Sequence, residues 1–570
     1  MSANASHLID PHFGYDMVLA TTQASINQTM KSYLKTVQGR QINIIVTSVK
    51  GSSSTNLISW DDFQKQSNGA DPFTIPNGAL YDDNKDMQNI KKARFKAGIR
   101  ITLGLPENFD ADQFNTLPDI VNLADGASAV TYRMLCANIV ITAMNYDEDG
   151  PLPYVALSQN KTRNKAWTVV SKVNMVLNKS NKEFAALPKA VQDQLKNMSG
   201  SMFDVSQLLF DLNNANLMTL PQIDGLDAGS DEANLLSKYF CNKYFTEMQT
   251  AGQPILAYTC APTQQTSTFK PTDMNFHVSP LIKETDATLK TLDYIMSING
   301  KPLPPGTDFT WDWLSAEDAK EQHGVISINR DTFRAYIKGI IFDQAKRQVF
   351  VPRVRNWLDG FLDSELWFEC HPDYPAVQDG DLKVTDFTTG SDNKLFTISY
   401  YSEANDEAGV NGALGAIQMS WKYDCSVTAS GNKIVATSSF VVHLFIRGLQ
   451  NKNDANIVSK NYVDTFELSI NGAGQLFTKN SSTNEDHSTS DSVNDFSNFF
   501  ADVNSVFNAL KKIAYVGNQF QGTKINELSN FVFPGAKTFL FRDFRFSDYQ
   551  DLVCGIKYVD PPSEQLANGH

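Results

Sequence analysis

Two stretches of the chain place apolar residues at the three- and four-residue spacing of one helix face. The first covers residues 16–37, with Asp16 as a candidate N-cap and Gly39 as a candidate terminator. The second covers residues 329–348. The apolar positions are Ile26, Met30, Tyr33, Leu34 and Val37 in the first stretch and Phe333, Ile337, Ile340 and Ile341 in the second. This spacing predicts two amphipathic helices, of which the first is about 20 residues and roughly 30 Å long.

The same spacing predicts two further helices, at residues 231–250 and 493–515. The last of them has the most regular apolar stripe in the chain, formed by Phe496, Phe499, Phe500, Val503, Val506, Phe507, Leu510 and Ile513.

Between these helices the hydrophobic period changes to two. Residues 94–103 alternate most clearly, with Lys96 and Arg100 on one face and the other face formed by Phe95, Ala97, Ile99, Ile101 and Leu103. Residues 416–427 alternate in the same way. Such alternation is typical of antiparallel sheet with one face in water. We therefore expect an α+β fold in which curved antiparallel sheets wrap around the long amphipathic helices.

The two halves of the chain share an order of elements. The apolar positions of the helices at 16–37 and 329–348 match at an offset of 307 residues. Residues 269–276 and 539–546 share the pattern Phe-x-x-x-Asp-x-x-Phe, which places Asp273 and Asp543 at matching positions. We interpret these echoes as two diverged repeats. The predicted units are residues 1–300 and 324–570, joined by a proline-rich linker at 301–323.

The composition and charge of the chain argue against several classes of function. The chain has 570 residues and a formal net charge of −14, which argues against nucleic acid as a partner. Acidity also disfavours constitutive docking on anionic membranes, although a local basic patch would still allow peripheral membrane contact. No apolar run approaches the roughly 20 residues that cross a bilayer, and residues 1–7 lack the features of a secretory signal. Six scattered cysteines indicate free thiols. We expect a cytoplasmic protein, or one released without a signal peptide.

The chain contains none of the common catalytic or nucleotide-binding motifs. Cys370 and His371 offer a thiolate and an imidazole, but adjacent side chains rarely converge, and a turn opening at Pro372 is preferred. Residues 145–150 resemble half of a calcium loop, yet the position of the bidentate glutamate holds Ala156, so an acidic hairpin turn is preferred. We therefore expect no cofactor and no metal.

Several segments resemble the forty-seven-kilodalton protein family encoded beside clostridial neurotoxin genes, and the related OrfX proteins. They are Phe13-Gly-Tyr-Asp-Met-Val-Leu-Ala, Gly324-Val-Ile-Ser-Ile-Asn-Arg-Asp-Thr-Phe, Phe531-Val-Phe-Pro-Gly-Ala-Lys-Thr-Phe and Phe546-Ser-Asp-Tyr-Gln-Asp-Leu-Val. The resemblance implies the tubular lipid-binding (TULIP) fold, lipid binding and an accessory role beside toxins. It assigns no catalytic residues, and this chain is longer than the family norm.

Three functional hypotheses remain. The first is a non-catalytic protein that binds lipid or another apolar ligand, with the helix faces as its lining: Ile26, Met30, Leu34, Phe333, Phe500, Val503, Phe507 and Leu510. The second is a structural or interaction subunit with a filled core, bound to a toxin or an OrfX-like partner. The third is an enzyme acting on an apolar metabolite, for which His277 and His443 are the first candidates.

Overall fold

The computed structural model describes most of residues 2–559, and antiparallel sheet dominates it. Not described are 53, 124–128, 148–149, 184–201, 211–215, 218–233, 235–237, 241–242, 245, 248–254, 263–270, 299, 360–364, 389–392, 411–412, 449–450, 471–475, 489–530 and 534–536, together with residue 1 and residues 560–570.

The largest sheet, here called the central sheet, has 13 strands in the described part of the chain. Its order is β15 (Pro271–Val278), β16 (Thr291–Ile298), β1 (Met17–Thr22), β17 (Gly324–Ile328), β28 (Leu552–Val559), β27 (Lys537–Phe546), β26 (Phe531–Phe533), β14 (Ile255–Pro262), β12 (Met202–Phe210), β11 (Val169–Glu183), β6 (Ala129–Met134) and β5 (Val121–Leu123), with β13 (Asn216–Leu217) paired to β11. The strand order is symmetric about the β1–β17 pair. β1 is followed in the sheet by β16 and β15 on one side, and β17 by β28 and β27 on the other, and both β1 and β17 directly precede a helix in the sequence.

Residues 17–22 form β1 because their backbone is paired on both sides. Leu19 lies opposite Tyr294 of β16 on one side and opposite Ile326 of β17 on the other. All six residues of β1 are buried. Three of them are β-branched, which favours extended backbone: Val18, Thr21 and Thr22. The helix predicted over 16–37 therefore begins later than expected.

Helix α1 (Gln23–Thr36) begins directly after β1. The Thr22 hydroxyl caps it by accepting a hydrogen bond of 3.2 Å from the Ser25 amide. The predicted N-cap, Asp16, has another role, since its carboxylate accepts from the amide of Ile298 in β16 and pairs with Lys301 at 2.7 Å.

The other described strands form two smaller sheets and two two-stranded hairpins. The five-stranded sheet runs β10 (Val155–Ser158), β7 (Cys136–Ala143), β4 (Phe95–Leu103), β2 (Gln41–Ser48) and β3 (Thr55–Ile58). The six-stranded sheet runs β20 (Lys383–Asp386), β21 (Lys394–Val410), β22 (Ala413–Ser430), β23 (Lys433–Arg447), β24 (Lys452–Ile470) and β25 (Leu476–Asp486). The hairpins are β18 (Val351–Asp359) with β19 (Glu365–Asp373), and β8 (Tyr146–Asp147) with β9 (Gly150–Pro151).

The predicted fold class, curved antiparallel sheets wrapped around long amphipathic helices in two diverged repeats, is wrong. The other α-helices whose bounds the structure gives are α2 (Trp60–Gln66), α3 (Lys85–Lys92) and α4 (Arg330–Gln348). Only α4 exceeds 14 residues, and it fills the place predicted for the helix at 329–348. Its buried positions are not a clean apolar stripe, because they include Arg330, Thr332, Gln344 and Gln348. Sheet therefore supplies most of the framework that helices were expected to supply.

The period-two predictions are confirmed. All five apolar residues predicted on one face of 94–103 are buried in β4. Residues 416–427 lie in β22. The hairpin predicted at 145–150 is supported by the antiparallel pairing of β8 with β9, on either side of residues 148–149. The four described cysteines, Cys136, Cys370, Cys425 and Cys554, are free and buried as expected. The turn predicted at Pro372 is wrong, because Pro372 lies in β19 opposite Pro352 of β18.

A compact aromatic cluster, separate from the main apolar core, joins residues 2–15 to the segment at 301–323. Phe309 lies 5.3 Å from Phe13 and 5.0 Å from Trp313, measured between ring centroids. Trp311 and Leu314 are buried in the same cluster. The segment predicted as a linker is thus packed against the N-terminal residues. The domain bounds 1–300, 301–323 and 324–570 stay a prediction.

Several predictions fall on residues that the structure does not describe. They include the helix at 493–515, Phe269 and most of the helix at 231–250. Within the latter, Phe240 and Tyr244 are described, and their rings stack 5.8 Å apart in the main core.

Candidate functional site

The six-stranded sheet has one face that is buried along β22, along β23 and along much of β24, here called the inner face. β23 shows how the sequence builds it, because every second side chain is buried: Ile434, Ala436, Ser438, Phe440, Val442, Leu444 and Ile446. The positions between them are partly or fully exposed. At about 3.3 Å per residue, the buried positions of β23 extend over roughly 40 Å. Strict alternation in the sequence thus produces a long, mainly apolar interior surface.

Helix α4, the β18–β19 hairpin and β27 pack against the six-stranded sheet. Helix α4 contacts β21, the hairpin contacts β21 and β22, and β27 contacts β22 and β24. The Phe350 ring, which follows α4, stacks on Trp421 of β22 at 4.8 Å. Tyr400 of β21 donates a hydrogen bond of 2.9 Å to the carbonyl of Phe350. Aromatic packing and a buried hydrogen bond together fix the chain after α4 against the sheet.

A row of polar side chains crosses the otherwise apolar inner face, here called the polar row. It consists of Tyr423 and Cys425 on β22, Ser438 on β23 and Asp464 on β24. The register places Cys425 opposite Ser438, and Ala436 of β23 opposite Asp464. All four side chains of the row are buried, and Asp464 has no exposed surface. Three adjacent strands thus bring polar atoms together inside the protein.

Most polar atoms of the row lack hydrogen-bond partners within the described residues. These atoms are the Tyr423 hydroxyl, the Ser438 hydroxyl and both carboxylate oxygens of Asp464. Ser438 is close enough to lower the pKa of Tyr423 and of Cys425 in part, but no hydrogen bond of good geometry joins it to either. Native cores pair more than nine-tenths of their buried polar groups, so a cluster of unpaired ones is unusual.

Burial dominates the electrostatics of the row. It raises the pKa of Asp464, opposed in part by the Ser482 hydroxyl. It also raises the pKa of the Cys425 thiol and holds the pKa of Tyr423 well above its ordinary value. A thiol with a raised pKa is a poor nucleophile, so the row resembles a binding surface more than a reactive centre.

The predicted lining residues that the structure describes are all buried. Ile26, Met30 and Leu34 lie on α1, and Phe333 lies on α4 with its ring 5.5 Å from that of Phe546. All four belong to the same apolar core as Trp421 and Phe440. The other four, Phe500, Val503, Phe507 and Leu510, are outside the described residues. A lining role for the eight residues stays a prediction.

Sequence reasoning missed the polar row, although the signal was present. Asp464 occupies an inward position in the alternating run that also buries Tyr462, Phe466 and Leu468. In a strand whose every second residue is buried, a charged residue at one of the buried positions breaks the usual pattern. The two-residue period of the sequence is enough to detect it.

The two histidines of the enzyme hypothesis lie on different sheets. His277 of β15 has its Nε2 2.7 Å from Asp308 Oδ1, and His443 of β23 has its Nε2 2.7 Å from Asp454 Oδ1. The structure does not bring them together in one site. Over the described ranges, no group of three or more His, Cys, Asp or Glu side chains is arranged to hold a metal ion. No helix within those ranges is long and apolar enough to cross a membrane.

Comparison with known proteins gives little further guidance. No protein-family model and no curated protein sequence matches the chain. Among solved structures, a crystal structure of lipopolysaccharide binding protein aligns with 96% of this chain over 99% of its own, at 8% sequence identity and a TM-score of 0.27. A score this low indicates only a weak likeness, and the resemblance to the forty-seven-kilodalton and OrfX family stays a prediction.

Proposed function

We propose that this chain binds a lipid or another apolar ligand in the interior behind the inner face of the six-stranded sheet, and that it performs no reaction on the ligand. The observation that carries the proposal is the polar row. Each unpaired buried polar atom costs about 1–3 kcal/mol, so several of them together on adjacent strands are costly unless a ligand pairs them. Unpaired oxygens at Tyr423, Ser438 and Asp464 therefore favour an interior that receives the polar end of a ligand.

The apolar surface on both sides of the row suits a hydrocarbon chain. Trp421, Phe440 and Val442 lie along the sheet on one side, and Val427 and Ile434 lie on the other. Each buried methylene contributes about 0.8 kcal/mol, so a dozen contribute about 10 kcal/mol before the costs of binding. An amphiphile of ordinary length thus gains enough to remain bound in water.

The second candidate function is an interaction subunit with a filled core, accessory to a toxin or an OrfX-like partner. Dense aromatic packing around Phe350 and Trp421 favours it. The two proposals differ in one measurable property, because only the first requires a ligand that solvent extraction removes. Peripheral membrane contact would accompany lipid uptake in the first and has no role in the second.

The test is native mass spectrometry of the purified protein, followed by solvent extraction and measurement of fluorescent lipid transfer between vesicles. A bound amphiphile, or transfer that depends on the protein, is expected. Ala436→Leu adds volume on the inner face directly opposite Asp464, whereas Val435→Leu adds it on the other face of the same strand. Only the inner variant should reduce ligand retention, with circular dichroism confirming that both fold.

Absence of any bound lipid in repeated preparations, together with no lipid transfer, would reject ligand binding. A stable complex with a protein partner that survives removal of lipid would then favour the interaction subunit.

A further inference from the structure

We propose that the polar row selects the head group of the ligand, and that it accepts a group which donates hydrogen bonds and carries no negative charge, either a hydroxyl or an ammonium. This inference rests on the proposed function and names the ligand class for that site.

The polar row has more hydrogen-bond acceptors than donors. Asp464 contributes two carboxylate oxygens that receive no hydrogen bond of good geometry from the described residues. The hydroxyls of Tyr423 and Ser438 each donate only one proton while also accepting. A ligand that brings donors satisfies this set, whereas a ligand that brings only acceptors leaves oxygen facing oxygen.

The described residues of the strands that form the row place no unpaired positive charge beside it. No Lys, Arg or His occupies a buried position of β22 or β23 on the inner face. On β24 the nearest base in phase with Asp464 is Lys460, four residues away or about 13 Å along the strand. Its ammonium is paired with Asp486, at 3.5 Å from Oδ2.

An anionic head group at the row would therefore be buried beside a carboxyl, and the described positions of β22, β23 and β24 offer no unpaired cation to compensate it. Removing one such charge from water costs several kcal/mol, which an unpaired site does not return. An ammonium has the opposite effect, because it forms a charge-assisted hydrogen bond with Asp464. A hydroxyl donates to the same oxygen without any charge to bury.

The test compares four straight-chain ligands of equal length that carry a hydroxyl, an ammonium, a carboxylate or a phosphate. Each displaces a neutral apolar fluorophore from the delipidated full-length chain. We expect the hydroxyl and ammonium ligands to bind about tenfold more tightly than the two anionic ones, or about 1.4 kcal/mol. Asp464→Asn should weaken the ammonium ligand about tenfold and the hydroxyl ligand much less, because the amide oxygen still accepts.

The matched control is Asp454→Asn, an exposed position on the same strand whose carboxylate faces His443. It should leave the order of the four ligands unchanged. If Asp464→Asn does not fold, Ser438→Ala serves in its place, and it should weaken the hydroxyl ligand by a few-fold.

Equal or tighter binding of the carboxylate or phosphate ligand would overturn the head-group assignment while leaving apolar binding in place. The same holds if the hydroxyl and ammonium preference survives Asp464→Asn and Ser438→Ala. If none of the four ligands displaces the fluorophore, it is the proposed function itself that fails.

Discussion

Replacing Asp293 by asparagine should stabilise the protein, increasingly so as the pH rises. Asp293 lies in β16 within the central sheet and has no exposed surface. Burial raises the pKa of its carboxyl to about 8, although Thr291, Ser279 and Trp313 each lower it in part. Neither carboxylate oxygen has a hydrogen bond of good geometry from the described residues. The charged form is therefore poorly supported where it lies.

The sign of the effect follows from proton binding. Between about pH 4 and pH 8 the folded chain keeps a proton on Asp293 that the unfolded chain releases, so stability falls as the pH rises through this window. With a folded pKa of about 8 against the ordinary 3.8, the loss is about 2 kcal/mol at pH 5, about 4 at pH 7 and about 6 at pH 9. These are upper limits, and asparagine avoids them because it does not titrate.

Urea unfolding of the wild type and of Asp293→Asn at pH 5, 7 and 9 measures the difference in unfolding free energy. The difference should grow by up to about 4 kcal/mol across this range. Asp82→Asn, at an exposed turn position, is the matched control and should show no such growth. A difference that stays constant between pH 5 and pH 9 would refute the reasoning, since it would mean that the pKa of Asp293 is the same in the folded and in the unfolded chain.

Three further substitutions test other parts of the structure. Asp551→Asn should destabilise by about 2 kcal/mol at pH 4, because its two oxygens accept from the amides of Leu8 and Arg330 and an amide nitrogen would face one of those donors. Because burial raises the pKa of Asp551 to about 6, urea unfolding should show this cost shrinking as the pH rises to 7. Phe350→Ala should cost about 3–5 kcal/mol by removing the ring stacked on Trp421, with a matching loss of near-ultraviolet circular dichroism. Gly324→Ala should cost roughly 1–3 kcal/mol in thermal unfolding, because a Cβ there would lie 2.4 Å from the Ala20 carbonyl oxygen. Gly380→Ala is the control, since a Cβ there meets nothing within 4 Å, and it should be nearly neutral.

Strands were predictable from the sequence because their signal is local. In β4 and β22 the pleat forces alternate side chains to opposite faces, and one face is buried. The period of two therefore appears directly in the residues, as from Phe95 to Leu103. The same regularity extends to Asp464, whose place inside the six-stranded sheet follows from its phase with Tyr462 and Phe466.

The start of α1 was not predictable in this way. Residues 17–22 contain both apolar and small polar side chains, so they fit the beginning of a helix as well as a buried strand. What decides between them is pairing with β16 and β17, which lie about 270 and 300 residues further along the chain. Backbone hydrogen bonds on both sides fix the extended form, and Thr22 then caps the shortened helix. Tertiary context overrides a local pattern here.

Hydrogen bonds also connect the start of α4 with residues near both ends of the chain. Ser6 donates a hydrogen bond of 2.9 Å to Asp551, and Asp551 accepts from the Arg330 amide at the start of α4. The first turn of α4 is thus held by Asp551, which lies 221 residues further along the chain. Asp551 is in turn bonded to Ser6, in the N-terminal segment. Because α4 packs against β21 of the six-stranded sheet, we expect the enclosure of the polar row to depend on this network. A substitution that breaks the network at Asp551 should therefore loosen ligand retention as well as stability, whereas Asp293→Asn, which lies outside the network, should change stability alone.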